Sequence, residues 1–393
     1  MRQQKTRGML LAALAVGSLG AACTPVGMPG EPTPRDQPRD ERSEPSREAP
    51  LTLGLLLPQS GSQYLQQYGA LILEGVQLAV DAHEAQGGRP IEIRIEDTAG
   101  SAAGAERAVR SLEAAGAVAA VGPLLPEEVS GAVNGRSDLR FTIISPSSPD
   151  APSGDNAYSL NAGDVRGAAM LGEWAARNAS GPIGILHPIG GDGERQALAF
   201  ADAVQRAGGS VALRMSYGET TTTFQQQMER LAAAGVQTLF VPAAEREIPQ
   251  LAPQLSYYGL GEVQVLGGEA WTGETLLRTL PTRVTDGVIA ATPLLRTDPA
   301  VAWEDLVGAY EARYRRSLNH PFPGLGYDAA LLVLAAVEEG ADNAREVAAE
   351  IADLRGVRGA TGIISVRGGA IERAPFLVRI EGGRLVKLEG PAQ

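Results

Sequence analysis

From Leu51 onward the chain alternates between two textures, and that alternation decides what it can fold into. Leu51-Thr-Leu-Gly-Leu-Leu-Leu-Pro58 is a continuous apolar run that ends in a turn. Such runs suit strands buried on both faces of a parallel sheet. Tyr68 to Glu84 then has helical periodicity through Leu71, Gly75, Leu78, Ala79 and Ala82, and Gly87-Gly88 ends it. Ile91 to Asp97 alternates cleanly and reads as a second strand. A helix over 102–115 and strands over 118–121 and 141–144 follow. The same reading gives strands at 183–186, 211–215, 238–241, 263–266 and 288–291, with helices at 196–207, 224–234, 248–258 and 275–279 between them. Helices at 300–314, 327–339 and 347–353 lead to a β-like end at 363–366, 376–380 and 385–388. Such a βαβα series predicts an α/β fold with parallel sheets covered by helices. The strands are too many for one ordinary open sheet, so two sheets in two Rossmann-like lobes are expected.

Ahead of Leu51 the texture differs. Arg2, Lys5 and Arg7 precede a short apolar stretch, Met9 to Leu19, and small residues at Gly20, Ala21 and Ala22. That run is too short for a permanent membrane span and reads as a signal peptide over 1–22. Cys23, the only cysteine, follows at once. Leu19-Gly20-Ala21-Ala22-Cys23 resembles a bacterial lipobox, with the leucine one place further from the cysteine than usual. Lipidation of Cys23 accounts for a lone thiol in an exported chain, which cannot form an internal disulfide; the plainer reading is a signal peptide with an incidental cysteine. Thr24 to Pro50 is rich in proline and charge, with almost no large apolar residue. It reads as a disordered tether over 23–50 that reaches about 80 Å when extended.

In open α/β sheets ligands bind at the carboxyl ends of strands. Here those are the loops Pro58-Gln59-Ser60-Gly61, Gly122 to Leu125, Ser145-Pro146-Ser147-Ser148, His187 to Gly193, Pro242 to Glu245, and Gly267 to Trp271. Two lobes facing each other with such loops make a cleft. Catalytic patterns are missing. His83, His187 and His320 lie in separate segments without metal-ligand spacing, and no cofactor motif, Gly-x-Ser-x-Gly elbow or Walker A pattern occurs. Gly190-Gly191-Asp192-Gly193 follows a strand and precedes a helix, so its amides either receive an anion or form an ordinary loop. A net charge of -12 argues against nucleic acid or an anionic membrane surface as the main partner.

The order of several motifs resembles the type I periplasmic solute-binding proteins, of which the branched-chain amino-acid receptors are the best-known group. They are Gly54 to Gly61, Tyr68-Gly69, Gly75 to Ala79, Val121-Gly122-Pro123, Ile144-Ser145-Pro146, Phe224 to Leu231, Gly326 to Ala330, and Gly359-Ala360-Thr361-Gly362. The resemblance implies two lobes joined by three crossovers, placed near Asn161, Val288 and Ile371. Lobe one is then 51–161 plus 289–371, and lobe two 162–288 plus 372–393. A small polar ligand, an amino acid or a relative, would sit between them and go to an ABC permease. The tether and anchor also resemble the lipoprotein activators of penicillin-binding proteins, which implies a peptidoglycan synthase as the alternative partner.

In the amino-acid receptors of that family, lobe one grips the α-carboxylate with hydroxyl and backbone donors, and a lobe-two carboxylate takes the ammonium. Glu269 is matched to that acid, or is a solvated loop carboxylate. Ser145, Ser147 and Ser148 belong to the loop that offers donors, the latter two being ligand donors or turn formers beside proline. Gln59 and Ser60 lie in the first loop. Tyr64 and Tyr68 follow it and stack on a ligand or pack against the helix. Trp271 is a cleft aromatic or core packing. Other positions depart from the pattern: Asp192 stands where an aromatic is usual, Glu245 lies in a segment usually rich in tyrosine, and the loop after Gly122 reads Pro123-Leu-Leu-Pro-Glu-Glu128. Unless the ligand is cationic, these acids would face it unfavourably.

Overall fold

The computed structural model describes residues 49–148, 155–160, 165–218 and 220–388. Cys23, the segment expected to be a signal peptide and nearly all of the expected tether lie outside them. Lobe one opens with β1 (Leu51–Leu57), α1 (Gln63–Ala85), β2 (Ile91–Asp97), α2 (Ala102–Ala114), β3 (Ala119–Val121), α3 (Pro126–Gly135), β4 (Thr142–Ser145) and β5 (Ala157–Ser159). Its five strands pair in the order β2-β1-β3-β4-β5, all parallel. The sequence textures explain the order. β1 is apolar throughout and sits inside the sheet, while the alternating Ile91-Glu-Ile-Arg-Ile-Glu-Asp97 of β2 forms an edge with one wet face.

Lobe two runs through α4 (Val165–Asn178), β6 (Ile183–Pro188), α5 (Gly191–Arg206), β7 (Val211–Tyr217), α6 (Gln225–Ala233), β8 (Thr238–Val241), α7 (Ile248–Tyr257) and β9 (Gln264–Gly267). A 3₁₀ turn (Glu269–Thr272), α8 (Glu274–Thr279), α9 (Thr282–Thr285) and β10 (Ile289–Thr292) follow. The chain then returns through α10 (Trp303–Tyr314), α11 (Phe322–Glu338), α12 (Ala344–Asp353) and the antiparallel strands β11 (Val357–Arg358), β12 (Ile363–Arg367) and β13 (Ala370–Ala374). It ends with β14 (Phe376–Glu381) and β15 (Arg384–Lys387) in lobe two. The second sheet is ordered β15-β14-β10-β9-β8-β6-β7, parallel from β7 to β10 and antiparallel at β14 and β15.

Two crossovers fall later than the sequence places them. β10 pairs with β9 and β14, so residues 289–292 belong to lobe two's sheet and the chain leaves it after Thr292, not at Val288. The reason is physical: Ile289-Ala-Ala-Thr292 is buried on both faces and needs a strand on each side. The last passage lies at Pro375, between β13 and β14, rather than at Ile371. The first runs between β5 and α4, through undescribed residues.

Lobe one is held by an unusually close helix pair. A Cβ on Gly75 of α1 would lie 1.8 Å from the Pro323 carbonyl oxygen of α11, and one on Gly326 of α11 would lie 2.2 Å from the Ile72 oxygen of α1. The two glycines let the backbones touch where any side chain would separate them. The next residues of α11 carry a second device. The carboxylate of Asp328, fully buried, accepts hydrogen bonds from the Ala360 amide at 2.5 Å, the Thr361 amide at 2.7 Å and the Thr361 hydroxyl at 2.5 Å. Burial pushes its carboxyl up to about 6 against those three donors. Asp328 thus ties the Gly359–Gly362 loop to α11.

Candidate functional site

Parallel strands put their loops at one end of each sheet, and contacts among those loops define the site. In lobe one a Cβ on Gly122, at φ +99°, would lie 2.2 Å from the Leu56 oxygen, so the loop after β3 lies against the end of β1. The Ser145 hydroxyl donates to the Pro123 oxygen at 2.7 Å and accepts from the Ser148 amide at 3.1 Å. The Ser147 hydroxyl donates to the Leu124 oxygen at 2.9 Å, and Tyr68 hydrogen-bonds to Ser147. Burial raises the Tyr68 phenol, which also meets Phe322 edge-on at 4.1 Å. These contacts gather Tyr68, Ser145, Ser147 and Ser148. The Ser148 hydroxyl is fully buried and has no hydrogen-bond partner among the described residues.

In lobe two, Gln196 donates to Asp192 at 2.5 Å, and a Cβ on Gly268 would lie 2.7 Å from the Gln196 amide oxygen. A Cβ on Gly273 would lie 2.9 Å from a Glu245 carboxylate oxygen. The loops after β6, β8 and β9 therefore adjoin, bringing Asp192, Glu245 and Glu269 together. The Gln196 oxygen is a second buried polar atom without a partner among the described residues. One ion pair joins this group to the crossover: the Arg373 guanidinium on β13 lies 3.5 Å from the Glu269 carboxylate. The Arg373 side chain is 8% exposed and that of Glu269 41%. Arg373 also donates to the Thr361 oxygen at 3.5 Å, and its charge acts on buried Asp328.

Several backbone donors of these loops are occupied by the protein's own carboxylates. Asp97, at the end of β2, accepts from the Gln59 amide at 2.8 Å, the Ser60 amide at 3.2 Å, the Ser60 hydroxyl at 2.6 Å and the Ala99 amide at 2.8 Å. Burial works against its charge, but these bonds outweigh it and hold the carboxyl below the usual range. Glu128, buried in the first turn of α3, accepts from the Leu124 amide at 3.3 Å, the Leu125 amide at 3.0 Å and the Thr98 hydroxyl at 2.5 Å. Burial nevertheless raises its carboxyl. Glu194 accepts from the Gly190 amide at 2.7 Å, so the glycine-rich turn is closed by its own helix. Glu247 accepts from the Ala244 amide at 3.0 Å and the Tyr217 phenol at 2.8 Å.

A family model for periplasmic binding proteins matches residues 50–384. The chain belongs to the periplasmic binding protein family. Solved structures agree on the architecture. One is a proposed branched-chain amino acid ABC transporter from Rhodospirillum rubrum: TM-score 0.77, 19% identity, covering 86% of this chain and 100% of that one. Another is the branched-chain amino acid transporter substrate-binding protein LivJ of Streptococcus pneumoniae in complex with isoleucine: TM-score 0.61, 21% identity, 86% and 100% covered. A third is an ABC transporter solute-binding protein of Rhodopseudomonas palustris BisB5 in complex with 3,4-dihydroxybenzoic acid: TM-score 0.62, 18% identity, 86% and 96% covered. No curated protein matches the chain.

Within this binding protein the sequence-chosen residues divide. Tyr68, Ser145, Ser147 and Ser148 gather in lobe one, and Asp192, Glu245 and Glu269 in lobe two. Gln59 and Ser60 lie in the first loop with their amides committed to Asp97. Tyr64 is 72% exposed. Trp271 is fully buried in lobe two's core, and its indole donates at 2.9 Å to the oxygen of Val241, the last residue of β8. Sequence reasoning passed over Asp97 and Arg373. An acid ending an alternating strand beside a turn is a weak signal for the first, and Arg373 meets Glu269 only through the tertiary fold. Among the described residues no group of three or more His, Cys, Asp or Glu is placed to hold a metal ion, and no helix is long and apolar enough to cross a membrane.

Proposed function

We propose that this protein is an extracytoplasmic solute-binding lipoprotein, anchored through Cys23, that captures a small polar ligand between its lobes for an ABC-type importer. The ligand is an amino acid or a related compound, and the protein is a carrier rather than an enzyme. The observation that carries the reading is that two of the five buried, unpartnered side-chain polar atoms among the described residues, Ser148 Oγ in lobe one and Gln196 Oε1 in lobe two, lie beside loops at the carboxyl ends of parallel strands. Buried polar atoms ordinarily find partners, and a bound ligand would supply them. The isoleucine and 3,4-dihydroxybenzoic acid complexes of the neighbours support a ligand of that size. A hinge closure about the crossovers completes the capture.

One observation favours a second reading. Asp97, Glu128, Glu194 and Glu247 take loop amides that a ligand carboxylate would otherwise use, as suits an interaction lipoprotein that regulates a peptidoglycan synthase. A thermal-shift screen of the purified protein against amino acids, amides, short peptides and cell-wall fragments separates the two. A ligand at 100 times its dissociation constant stabilises the fold by about 2.7 kcal/mol. A saturable shift upholds the capture reading, while a null across the panel, from protein purified without bound ligand, rejects it.

A further inference from the structure

The charges around the cleft limit which ligand it can hold. Recognition of an α-amino acid needs donors free for the carboxylate and a carboxylate free for the ammonium. On the donor side, Asp97, Glu128, Glu194 and Glu247 hold amides of the loops after β1, β3, β6 and β8. A ligand carboxylate arriving at the lobe-one loops would meet Asp97 and Glu128, which already hold amides there. On the acceptor side, Glu269 already faces Arg373 at 3.5 Å. The guanidinium is nearly buried, its stem lies 3.5 Å from where a Cβ on Gly362 would be, and it sits where the Asp328 charge also favours it. It is not free to swing into water. A ligand ammonium at Glu269 would put two cations on one carboxylate. Asp192 has Gln196 and Arg195 as partners. That leaves Glu245, an exposed carboxylate, which water screens.

Apart from the water-screened Glu245, what remains to meet a ligand is uncharged or already compensated. Lobe one offers the Ser148 hydroxyl, beside Ser147 and Tyr68, which bond to each other, and lobe two the Gln196 amide oxygen. Charge-compensated carboxylates accept hydrogen bonds from hydroxyl and amide groups without requiring a cation, and Arg373 has N–H groups beyond its two contacts.

We propose that the cleft selects an uncharged ligand carrying amide or hydroxyl groups, because Arg373 takes the place of a ligand ammonium at Glu269 and the protein's own carboxylates take the place of a ligand carboxylate. The proposal rests on the capture reading above and names its ligand class.

The test is calorimetric titration of the purified protein with one side-chain skeleton in four charge states: leucine, leucinamide, 4-methylpentanoate and 4-methylpentanamide, repeated with the corresponding phenylalanine series. The uncharged amide should bind at least about tenfold more tightly than the zwitterion, the cation or the anion. Arg373→Met frees Glu269, so leucinamide should gain at least about tenfold while 4-methylpentanamide changes less than about threefold. If that variant does not fold, Glu269→Gln serves in its place: it leaves Arg373 unpaired, and 4-methylpentanoate should gain. Tighter binding of any charged member by the native protein overturns the proposal and leaves capture standing, and so does a folded variant that leaves the charge preference unmoved. Absence of binding by every member of both series, together with a null in the thermal screen, rejects capture itself and the proposal with it.

Discussion

Replacing Gly75 with alanine tests the α1–α11 contact, the tightest backbone approach in lobe one. The new Cβ would lie 1.8 Å from the Pro323 oxygen, 2.7 Å from the Pro323 carbonyl carbon and 2.8 Å from the Tyr327 nitrogen. All three are backbone atoms, so no rotamer change relieves the clash, and α11 must move away by more than about 1 Å in a close-packed core. Overpacking of this kind costs about 1–3 kcal/mol and sometimes more. Alanine's better helix propensity returns about 1 kcal/mol. With backbone on every side the cost exceeds that range, at about 4 kcal/mol, and the net is about 3 kcal/mol. An unfolding entropy of about 2.1 cal/mol/K per residue over roughly 340 residues gives about 0.7 kcal/mol/K, so the melting temperature falls by about 4 °C. Gly308 in α10 is the control: exposed, also helical, with nothing within 4 Å of a Cβ. There alanine should hold or raise the melting temperature. Differential scanning calorimetry of both variants beside the native protein decides it. A Gly75→Ala protein melting within about 1 °C of native, or an equal loss in Gly308→Ala, would refute the close-contact argument.

Asp328 and Asp97 predict opposite pH behaviour. Because the folded pKa of Asp328 is raised to about 6 from 3.8, its stabilising contribution is full below the unfolded value and is lost as pH rises through 6. The stability gap between native protein and Asp328→Asn should therefore widen by about 1.4 kcal/mol from pH 7 to pH 5, read from melts at both; a narrowing gap contradicts the assignment. Asp97 is depressed, so its contribution is present above the unfolded value and lost as pH falls through the lower folded one. Asp97→Ala should remove amide-exchange protection at Gln59 and Ala99 while costing less stability than Gly75→Ala. Undiminished protection at those amides would break the link between Asp97 and the first loop.

Where burial is carried by large residues with a clear period, the sequence is readable. Leu51-Thr-Leu-Gly-Leu-Leu-Leu57 and Thr238-Leu-Phe-Val241 are continuous apolar runs and form inner strands, and the alternating β2 and β7 form edges. Where small residues carry it, the signal fades. α4 buries Gly167, Ala168, Leu171, Gly172 and Ala175, a helical face with one large residue, and α3 buries little beyond Val129, Gly131 and Ala132. Neither helix is evident in the sequence, although Pro126 at the first helical position and Glu128 two places later are a start signal for α3. The Gly75 and Gly326 motifs are legible as resemblance, but their cause lies in α1 and α11 meeting, which no local pattern states. The site divides the same way. Its loops follow from strand ends, so Ser147, Ser148, Asp192, Glu245 and Glu269 can be placed in them. Their partners come from tertiary contact, as the Arg373–Glu269 pair does.

The filled loops also bear on how such a cleft closes. Strand ends and helix starts in an open α/β sheet present unpaired amides, which attract anions whether or not the protein has use for them. Here Asp97, Glu128, Glu194 and Glu247 each fix a loop in place before any ligand arrives. Ordering those loops is then no part of the binding free energy, so less affinity is lost to conformational entropy. The same bonds tie each loop to its own sheet, which among the described residues leaves adjustment to the passages after Thr292 and at Pro375. Arg373 sits two residues from the last of these and touches groups on both sides of it, Thr361 and Glu269. On the proposed capture reading, a change in the angle between the lobes alters the Arg373–Glu269 distance, and that ion pair would couple closure to ligand charge.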